Sequence, residues 1–331
     1  MNKFLLVDAS HMFHRAKHSV RGDQGEKIGM CLHIIFNSLG KAWRTQGANH
    51  VVFAFDGRSW RKDTYKPYKA NRSESSSSPS EVAENKLFFE AFDIFRKFVS
   101  LKTNCTILEH PILEADDLIS AFIKSHPDDT HVIVSSDGDF DQLLAPNVVL
   151  YNGVADTTTT LSGVFDYKGK PVIDKKTGNP KVAPEPEYSL FEKSVRGCTT
   201  DNIFSAYPGI RENGSKNKAG LREAFADRKK QGFDWSSVMM HRWTDHHGNE
   251  HKVLDDYTRN RQLVDLCSQP EDIQIAMYET VAVACLPKSI PQIGLHFLKF
   301  CGQYELIKMS ERANEYVTLL SSKYPVNGKI N

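Results

Sequence analysis

The chain has 331 residues, of which 40% are apolar and 25% are charged, with 42 Lys and Arg against 41 Asp and Glu. This length suits one large domain or two moderate ones, and the mixed composition favours a soluble, globular protein. The formal net charge of +1 excludes nucleic-acid binding through global charge, so any such binding must depend on local basic patches.

The cysteines and the apolar runs indicate the cellular compartment and whether the chain could enter a membrane. Six cysteines are scattered without paired spacing, and no secretory leader precedes them. We therefore expect reduced thiols and a cytoplasmic protein. The longest apolar runs are only a few residues, too short to span a membrane, so no membrane association is expected.

Two short apolar runs near the start of the chain each lead into a carboxylate. Phe4–Val7 is followed by Asp8, and a long amphipathic helix is predicted from Ile28 to Trp43. His50–Phe55 is followed by Asp56. A single acid after a strand more often forms a turn than binds a metal, but two of them, with further acids downstream, favour a shared site.

Two acidic clusters lie further along the chain. The first opens an amphipathic helical run, Glu114–Ser125, and the second follows the apolar strand His131–Val134. Acids are common at helix starts and in turns, which is the alternative explanation for each cluster alone. Together, five carboxylates without a matching basic run would repel one another unless cations lay among them, which predicts a hard-metal site. The five are Glu114, Asp116, Asp117, Asp137 and Asp139.

Two other metal sites fit the sequence less well. A calcium loop beginning at Asp137 would need glycine where Gln142 stands and glutamate where Val148 stands. Four histidines between His241 and His251 suggest zinc, but no cysteine lies nearby and their spacing matches no familiar zinc pattern.

The segment Arg58–Arg72 interleaves basic side chains with aromatic rings, a pattern typical of phosphate contacts combined with base stacking. A solvated basic loop is the alternative. The Ser-rich stretch Ser73–Ser80 is expected to be mobile, and a helix is predicted from Glu81 to Val99. The residues predicted to bind nucleic acid here are Arg58, Arg61, Lys62, Lys66, Tyr68, Lys69 and Arg72.

The second half of the chain is predicted to be mainly helical. After a strand at Val148–Tyr151, residues 156–187 are rich in Thr, Gly, Pro and Lys and predict a hairpin-like boundary. A turn-rich link at residues 196–220 either presents backbone N–H groups to a phosphate or simply joins two helices. In this link, Gly209, Lys216 and Lys218 are predicted to bind nucleic acid. The predicted helices are Tyr188–Val195, Asn217–Asp227, Asp255–Cys267, Asp272–Val283, Ile290–Phe300 and Ser310–Leu320.

The order of these motifs resembles the 5′ nuclease superfamily of flap endonucleases and 5′→3′ exonucleases. The motifs are strand–Asp8, strand–Asp56, Tyr68-Lys-Ala-Asn-Arg72, Glu114-Ala-Asp-Asp117, Asp137-Gly-Asp139 and Gly197-Cys-Thr-Thr-Asp-Asn202. The resemblance covers roughly residues 3–305 and looks closest to phage-encoded RNase H-type 5′ nucleases. It implies an α/β fold with a PIN-like parallel sheet flanked by helices in residues 1–187, including a helical arch or clamp at about 58–100. Residues 188–331 would form a helical DNA-binding region with a helix–three-turn–helix motif.

The resemblance also implies roles for individual residues. Two Mg²⁺ ions, which Mn²⁺ could replace, would be bound by Asp8, Asp56, Glu114, Asp116, Asp117, Asp137, Asp139 and, at an outer position, Asp201. Lys69 and Arg72 match the catalytic basic pair of the family, and Tyr68 matches a ring that stacks on a base. Asp137 is also expected to be catalytically essential.

Two positions depart from the family pattern. Cys198 stands where the turn motif usually has its first Asp, so the outer metal site is expected to be one carboxylate short. Arg211 stands where a second glycine is usual, and residues 212–215 look like an insertion.

The implied function is a metal-dependent 5′→3′ exonuclease and flap endonuclease. Its substrates would be DNA with 5′ flaps, nicks or ends, and RNA in RNA–DNA hybrids, as in primer removal within a phage-infected bacterial cell. A monomer is expected, with single-strand-binding or other replication proteins as partners. The alternatives are a catalytically weakened DNA-junction-binding protein of the same fold, a PIN-type ribonuclease and a calcium-binding structural protein.

Overall fold

The structure is a computed structural model and describes residues 1–19, 24–72, 79–216 and 218–325. These residues divide into two compact units. The first unit comprises the described parts of Met1–Ser59, Ser76–Ala183 and Glu271–Asn331, and the second comprises those of Trp60–Ser75 and Pro184–Pro270. The units and the expected domains differ mainly in two places: the described part of Trp60–Ser75 belongs to the second unit, and that of Glu271–Asn331 belongs to the first. Of the stretch Ser73–Ser80 that was predicted to be mobile, residues 73–78 lie outside the described residues, and the last two residues begin a helix instead.

The described residues form nine strands and thirteen α-helices. The strands are β1 Lys3–Asp8, β2 His50–Phe55, β3 Thr106–Glu109, β4 Thr130–Val134, β5 Val148–Asn152, β6 Thr157–Thr160, β7 Gly163–Asp166, β8 Arg242–Thr244 and β9 Glu250–Lys252. The helices are α1 Ala9–Ser19, α2 Gln24–Gln46, α3 Arg61–Thr64, α4 Pro79–Lys102, α5 Ala115–Ser125, α6 Pro186–Arg196, α7 Leu221–Asp227, α8 Phe233–Met239, α9 Val253–Val264, α10 Glu271–Ala284, α11 Ile293–Gln303, α12 Ile307–Glu311 and α13 Ala313–Leu320. Two short 3-10 helices cover Ala70–Arg72 and Gly138–Leu143.

A seven-stranded sheet with the order β3-β2-β1-β4-β5-β6-β7 forms the centre of the first unit. The strands from β3 to β5 are parallel, and β6 and β7 are antiparallel. The chain passes outward from β1 to β2 and β3, then returns to add β4 on the other side of β1. The strand order therefore reverses between β1 and β4, and α/β proteins bind ligands beyond the carboxyl ends of strands at such a switch point.

Helices cover both faces of this sheet, which explains why its strands are nearly continuous apolar runs. Side chains alternate along a strand, so Leu5 and Phe53 face a core shared with α1, α2, α4, α11 and α13. Phe4 points to the other face and packs against Phe122 of α5, with ring centroids 5.0 Å apart. The predicted α/β class, with a mostly parallel sheet flanked by helices and a helical region towards the C-terminus, is confirmed.

The second unit contains α6 to α9 and the β8–β9 hairpin. Helix α6 packs on α9 and α7 packs on α8, around a core that includes Phe191, Trp235 and Tyr257. Helix α8, of seven residues, and the hairpin strands, of three residues each, were not predicted, because their sequences show no clear period. The helix predicted from Asn217 begins only at Leu221.

Two further features concern the whole described chain. No helix in the described ranges combines the length and apolar character that crossing a membrane requires. All six cysteines lie in described positions and are free thiols, as expected.

Candidate functional site

Acids predicted to bind metal lie at the carboxyl edge of the sheet in the first unit. Asp8 is the last residue of β1, and Asp56 follows β2 directly. Asp137 follows β4 after two serines, and Glu114 immediately precedes α5. The structure thus brings these acids to the edge at which the strand order reverses.

Gly57 allows the end of β2 to approach the start of α5. A Cβ atom at Gly57 would lie 2.2 Å from the carbonyl oxygen of His110, so a larger residue would force the backbone to move. The N–H of Gly57 donates to the carbonyl of Leu113 over 2.7 Å. Next to it, Asp56 Oδ1 accepts a hydrogen bond of 2.8 Å from the N–H of Ala115. Asp56 therefore lies at the N-terminus of α5, where negative charge is favourable.

Asp8 lies among other carboxylates and is only 8% exposed. Burial raises the pKa of Asp8, and the charge of Asp56 raises it further, with smaller contributions from Asp116 and Asp137. A hydrogen bond of 3.0 Å from the N–H of His11 to Asp8 Oδ1 acts in the opposite direction. Asp56, Asp116 and Asp137 are therefore close enough to Asp8 to destabilise its charged form.

Asp137 and Asp139 belong to one turn after β4. The N–H of Asp139 donates to Asp137 Oδ1 over 3.0 Å, and the N–H of Asp137 donates to Ser135 Oγ over 3.1 Å. Asp137 is exposed, so its carboxylate is accessible to ligands. Burial, together with the charge of Asp137, raises the pKa of Asp141 to about 6.

Glu114 and Asp117 take part in the N-terminus of α5. Asp117 is fully buried, and its Oδ2 accepts a hydrogen bond of 3.3 Å from the N–H of Glu114. This contact is the helix-start role that the sequence analysis gave as the alternative explanation for such acids. A role in metal binding for either residue stays a prediction.

The donor atoms at this edge suit a hard cation, but their side chains do not point towards one common centre. No three His, Cys, Asp or Glu side chains in the described ranges are arranged so that they could hold a metal ion as they stand. The donors are carboxylate oxygens, which Mg²⁺ and Mn²⁺ prefer, and a cation would offset the repulsion around Asp8. Binding would therefore require these side chains to turn towards a common centre.

In the second unit, two predicted site residues contact each other. Arg72 Nη2 donates to Asp201 Oδ1 over 2.8 Å, which pairs a predicted catalytic cation with a predicted metal ligand. The N–H of Lys69 donates to the carbonyl of Asp201 over 2.8 Å, and Asn202 Nδ2 donates to the carbonyl of Pro67 over 2.7 Å. The basic segment is thus attached to the turn that follows α6.

Two residues predicted to bind nucleic acid, Arg61 and Tyr68, are buried in the structure. Arg61 is 1% exposed, and its Nε donates to the carbonyl of Leu263 over 2.6 Å. Tyr68 is 3% exposed and packs against Ile203 and Leu263, so its ring is not available to stack on a base in this conformation. Alternation of basic and aromatic residues does not distinguish exposed side chains from buried ones. The others, Arg58, Lys62, Lys66, Lys69 and Arg72, are exposed or half-exposed.

The turn after α6 depends on a glycine in the left-handed region. Gly197 has a φ of +75°, and a Cβ there would lie 2.3 Å from the carbonyl oxygen of Ile203. Cys198 and Ile203 exchange two backbone hydrogen bonds, of 2.9 and 2.8 Å. The Cys198 thiol lies 3.0 Å from the hydroxyl of Thr200. The weakened outer metal site expected from Cys198 stays a prediction.

The loop before α7 is closed by Glu223. The N–H groups of Gly214 and Gly220 both donate to Glu223 Oε2 over 2.9 Å, so these two donors are not available to a phosphate. This arrangement also explains why α7 begins after Gly220. The residues of this region that were predicted to bind nucleic acid, Gly209, Lys216 and Lys218, are all exposed.

Two polar side chains beside the acidic edge, His11 and Ser136, were not predicted from the sequence. His11 Nε2 and Ser136 Oγ are 2.7 Å apart, and each lies close in sequence to a predicted ligand, Asp8 or Asp137. His11 could have been predicted from its position three residues after Asp8. Residues three apart lie on the same face at the start of a helix, so His11 would lie beside Asp8.

Relatives of this chain are nucleases and DNA polymerases. It is 26% identical over 219 residues to the 5′-3′ exonuclease of Mycoplasmopsis pulmonis, a match that covers 65% of each protein. It is 34% identical over 150 residues to the flap endonuclease Xni of Yersinia enterocolitica, covering 44% of this chain and 53% of that protein. A match to DNA polymerase I of Rhizobium leguminosarum is 29% identical and covers 67% of this chain but only 20% of the polymerase. The chain thus spans less than two thirds of each of these relatives.

Solved structures support the fold. The bacteriophage T5 flap endonuclease, crystallised with DNA and metal ions, matches with a TM-score of 0.59 at 19% identity. That match covers 85% of this chain and 98% of the phage protein. The sequence model of the 5′-3′ exonuclease N-terminal resolvase-like domain matches residues 3–175, which is more than half of the chain. This protein therefore belongs to the 5′-3′ exonuclease and flap endonuclease family.

Proposed function

We propose that this protein is a divalent-metal-dependent 5′→3′ exonuclease and flap endonuclease. It would hydrolyse phosphodiester bonds near the 5′ ends of DNA and of RNA in RNA–DNA hybrids, as in the removal of replication primers. The observation that carries this proposal is the group of acids around the buried Asp8, at the sheet edge where ligands bind in α/β folds. The names of the relatives, a 5′-3′ exonuclease and a flap endonuclease, agree with it.

The metal requirement follows from the charge of this edge. Bound divalent ions would supply a deprotonated water and would stabilise charge on the phosphate. The T5 relative crystallised with DNA and metal ions supports this assignment. The residues proposed to hold two Mg²⁺ ions, or Mn²⁺ in their place, are Asp8, Asp56, Glu114, Asp116, Asp137 and Asp139, with Asp117 adjacent and Asp201 at an outer position.

Lys69 and Arg72 are proposed to contact the phosphate. Arg72 already contacts Asp201, but a guanidinium has five N–H donors in a planar fork and can bind a carboxylate and a phosphate oxygen together. Lys69 is half-exposed, with its Nζ 4.9 Å from the centre of the Tyr68 ring. Tyr68 would therefore orient Lys69 through a cation–π contact instead of stacking on a base.

The remaining assignments rest on the family resemblance. Residues 1–187 would be a PIN-like domain, with an arch at about 58–100 over single strands. The turn between α6 and α7, with Gly209, Lys216 and Lys218, would be a helix–three-turn–helix that binds duplex. We also propose a monomer that works with single-strand-binding or other replication proteins in the cytoplasm of a phage-infected cell.

One specific observation favours a second candidate, a catalytically weakened DNA-junction-binding protein. Asp201 is already neutralised by Arg72, and Cys198 supplies no carboxylate beside it. An outer metal would then bind poorly. The protein would still bind branched DNA but would cleave it weakly.

Cleavage assays separate the two candidates. The substrates are a 5′-labelled flap, a nicked duplex and an RNA-primed duplex, each tested in Mg²⁺, in Mn²⁺ and in EDTA. A nuclease should lose cleavage in EDTA and in Asp137→Ala while it retains DNA binding. Asp128→Ala is the matched control, because Asp128 is also exposed but lies at the opposite end of β4. Tight binding to branched DNA without cleavage in either metal would support the junction-binding protein instead.

A further inference from the structure

The β8–β9 hairpin is attached to the turn proposed to bind phosphate. Trp243 Nε1 donates to the carbonyl of Ala206 over 2.9 Å, and the ring of His241 stacks on Tyr207 with centroids 4.5 Å apart. The next two residues are Pro208 and Gly209, in the exposed turn. The hairpin therefore holds a defined position beside this turn.

The two faces of the hairpin differ in chemistry. Trp243 pairs with His251 across the strands, and their rings stack at 4.4 Å on the face that packs against the turn. Arg242 pairs with Lys252, and cross-strand partners point to the same side, so these two cations share the opposite face. Arg242 is 67% exposed. The outward face thus carries two basic residues in directly opposite positions, with Cα atoms about 5 Å apart.

The hairpin also carries two acids, Asp245 and Glu250, equal in number to Arg242 and Lys252. Asp245 is used by the connecting loop, since its Oδ1 accepts hydrogen bonds from the N–H groups of His247 and Asn249 over 2.9 and 2.8 Å. Its Oδ2 accepts from Asn249 Nδ2 over 3.0 Å. Glu250 lies on the outward face at 3.8 Å from Arg242, and both are largely exposed, so this ion pair is weak and Arg242 can contact a phosphate instead. The connecting loop also exposes two histidine side chains, His246 and His247.

We propose that the β8–β9 hairpin is an additional contact with the backbone of duplex DNA. Arg242 and Lys252 would bind phosphates that neighbour those held at the Gly209 turn. This proposal deepens the proposed function and rests on it. A two-stranded ribbon is narrow enough to follow a DNA groove, and its attachment to Ala206 and Tyr207 would keep the two contacts in register.

The salt dependence of duplex binding tests this proposal. Each phosphate contact contributes about 0.9 to the slope of log K against log salt. Arg242→Gln/Lys252→Gln should therefore lower the slope by about 1.8, which corresponds to roughly sixtyfold weaker binding at 0.1 M salt if the two proteins bind equally at 1 M. Binding is measured by fluorescence anisotropy with a labelled blunt duplex in EDTA, so that no cleavage interferes.

Two variants serve as controls. Lys299→Gln/Lys308→Gln removes the same charge from exposed positions of α11 and α12 and should leave the slope nearly unchanged. Arg242→Lys/Lys252→Arg keeps the charge and should keep the slope. If the glutamine pair does not fold, as judged by circular dichroism, Arg242→Gln alone should still lower the slope by about 1.

The outcomes separate the inference from the function on which it rests. Equal slopes for the hairpin variant and the Lys299/Lys308 control would overturn the hairpin contact while wild-type cleavage still supported the nuclease. A wild-type protein that neither binds duplex nor cleaves flaps would overturn the proposed function itself.

Discussion

Asp8 and Asp201 are equally enclosed, at 8% exposure each, yet the two compact units surround them with opposite charges. In the first unit, burial and the neighbouring carboxylates raise the pKa of Asp8. In the second unit, Asp201 pairs with the guanidinium of Arg72 at 2.8 Å. The second unit therefore supplies its own cation, whereas the sheet edge would gain most from an external one. This difference explains why the metal proposal centres on the first unit.

The largest effect is expected from neutralising Asp8, compared with the same change at Asp201. Asp8→Asn should reduce flap cleavage about a thousandfold, because losing an inner ligand removes about 4 kcal/mol of transition-state stabilisation. Asp201→Asn should cost about tenfold or less, because Arg72 already neutralises that carboxylate. The measurement is the single-turnover rate in Mg²⁺ with saturating DNA. Equal losses of cleavage in the two variants would contradict the proposed difference between Asp8 and Asp201.

A smaller effect is expected from the cations of the second unit. Arg61→Ala should lower the free energy of unfolding by about 3 kcal/mol, because it removes a buried side chain and leaves the Leu263 carbonyl without its donor. Lys62→Ala, at the adjacent exposed position, should change stability by less than about 0.5 kcal/mol but should weaken DNA binding. Urea denaturation and anisotropy measure the two quantities. A stable Arg61→Ala variant with weakened DNA binding would restore the original prediction for Arg61.

The smallest effect concerns the pH dependence of the metal-free protein. The pKa of Asp141 is about 6 in the folded state, above the unfolded value of about 3.9. The folded state then binds more protons between these values, so stability falls as pH rises from 4 to 6. Asp141→Asn should be more stable than wild type by about 1 kcal/mol at pH 7, and equal to it near pH 4.

Urea denaturation in EDTA at both pH values tests this sign. In the second unit, Asp201→Asn should act in the opposite direction and lower stability by about 0.5 kcal/mol at pH 7, since it removes a partly exposed ion pair. A loss of stability in Asp141→Asn at pH 7 would show that its charge is favourable in the folded protein, contrary to the comparison.

The elements with the clearest sequence signals were predicted closely. The strands at Phe4–Val7 and His50–Phe55 were found because parallel strands covered on both faces are apolar runs, and the acids after them mark where each strand ends. Helix α8 and the β8–β9 hairpin were missed. Their folding depends on packing of Trp235 and Trp243 against distant residues more than on any local period.

The acids at the strand ends were predictable from sequence, because an apolar run and the residue after it are read directly from the chain. Which charged and aromatic side chains are accessible depends on tertiary packing. Arg61 and Tyr68 belong to the same basic and aromatic pattern as Lys62 and Lys66, but they contact Leu263, about 200 residues away in the chain. The pairing of Arg72 with Asp201 is also a long-range contact. Burial and ion pairing depend on such neighbours, and spacing along the chain does not contain them.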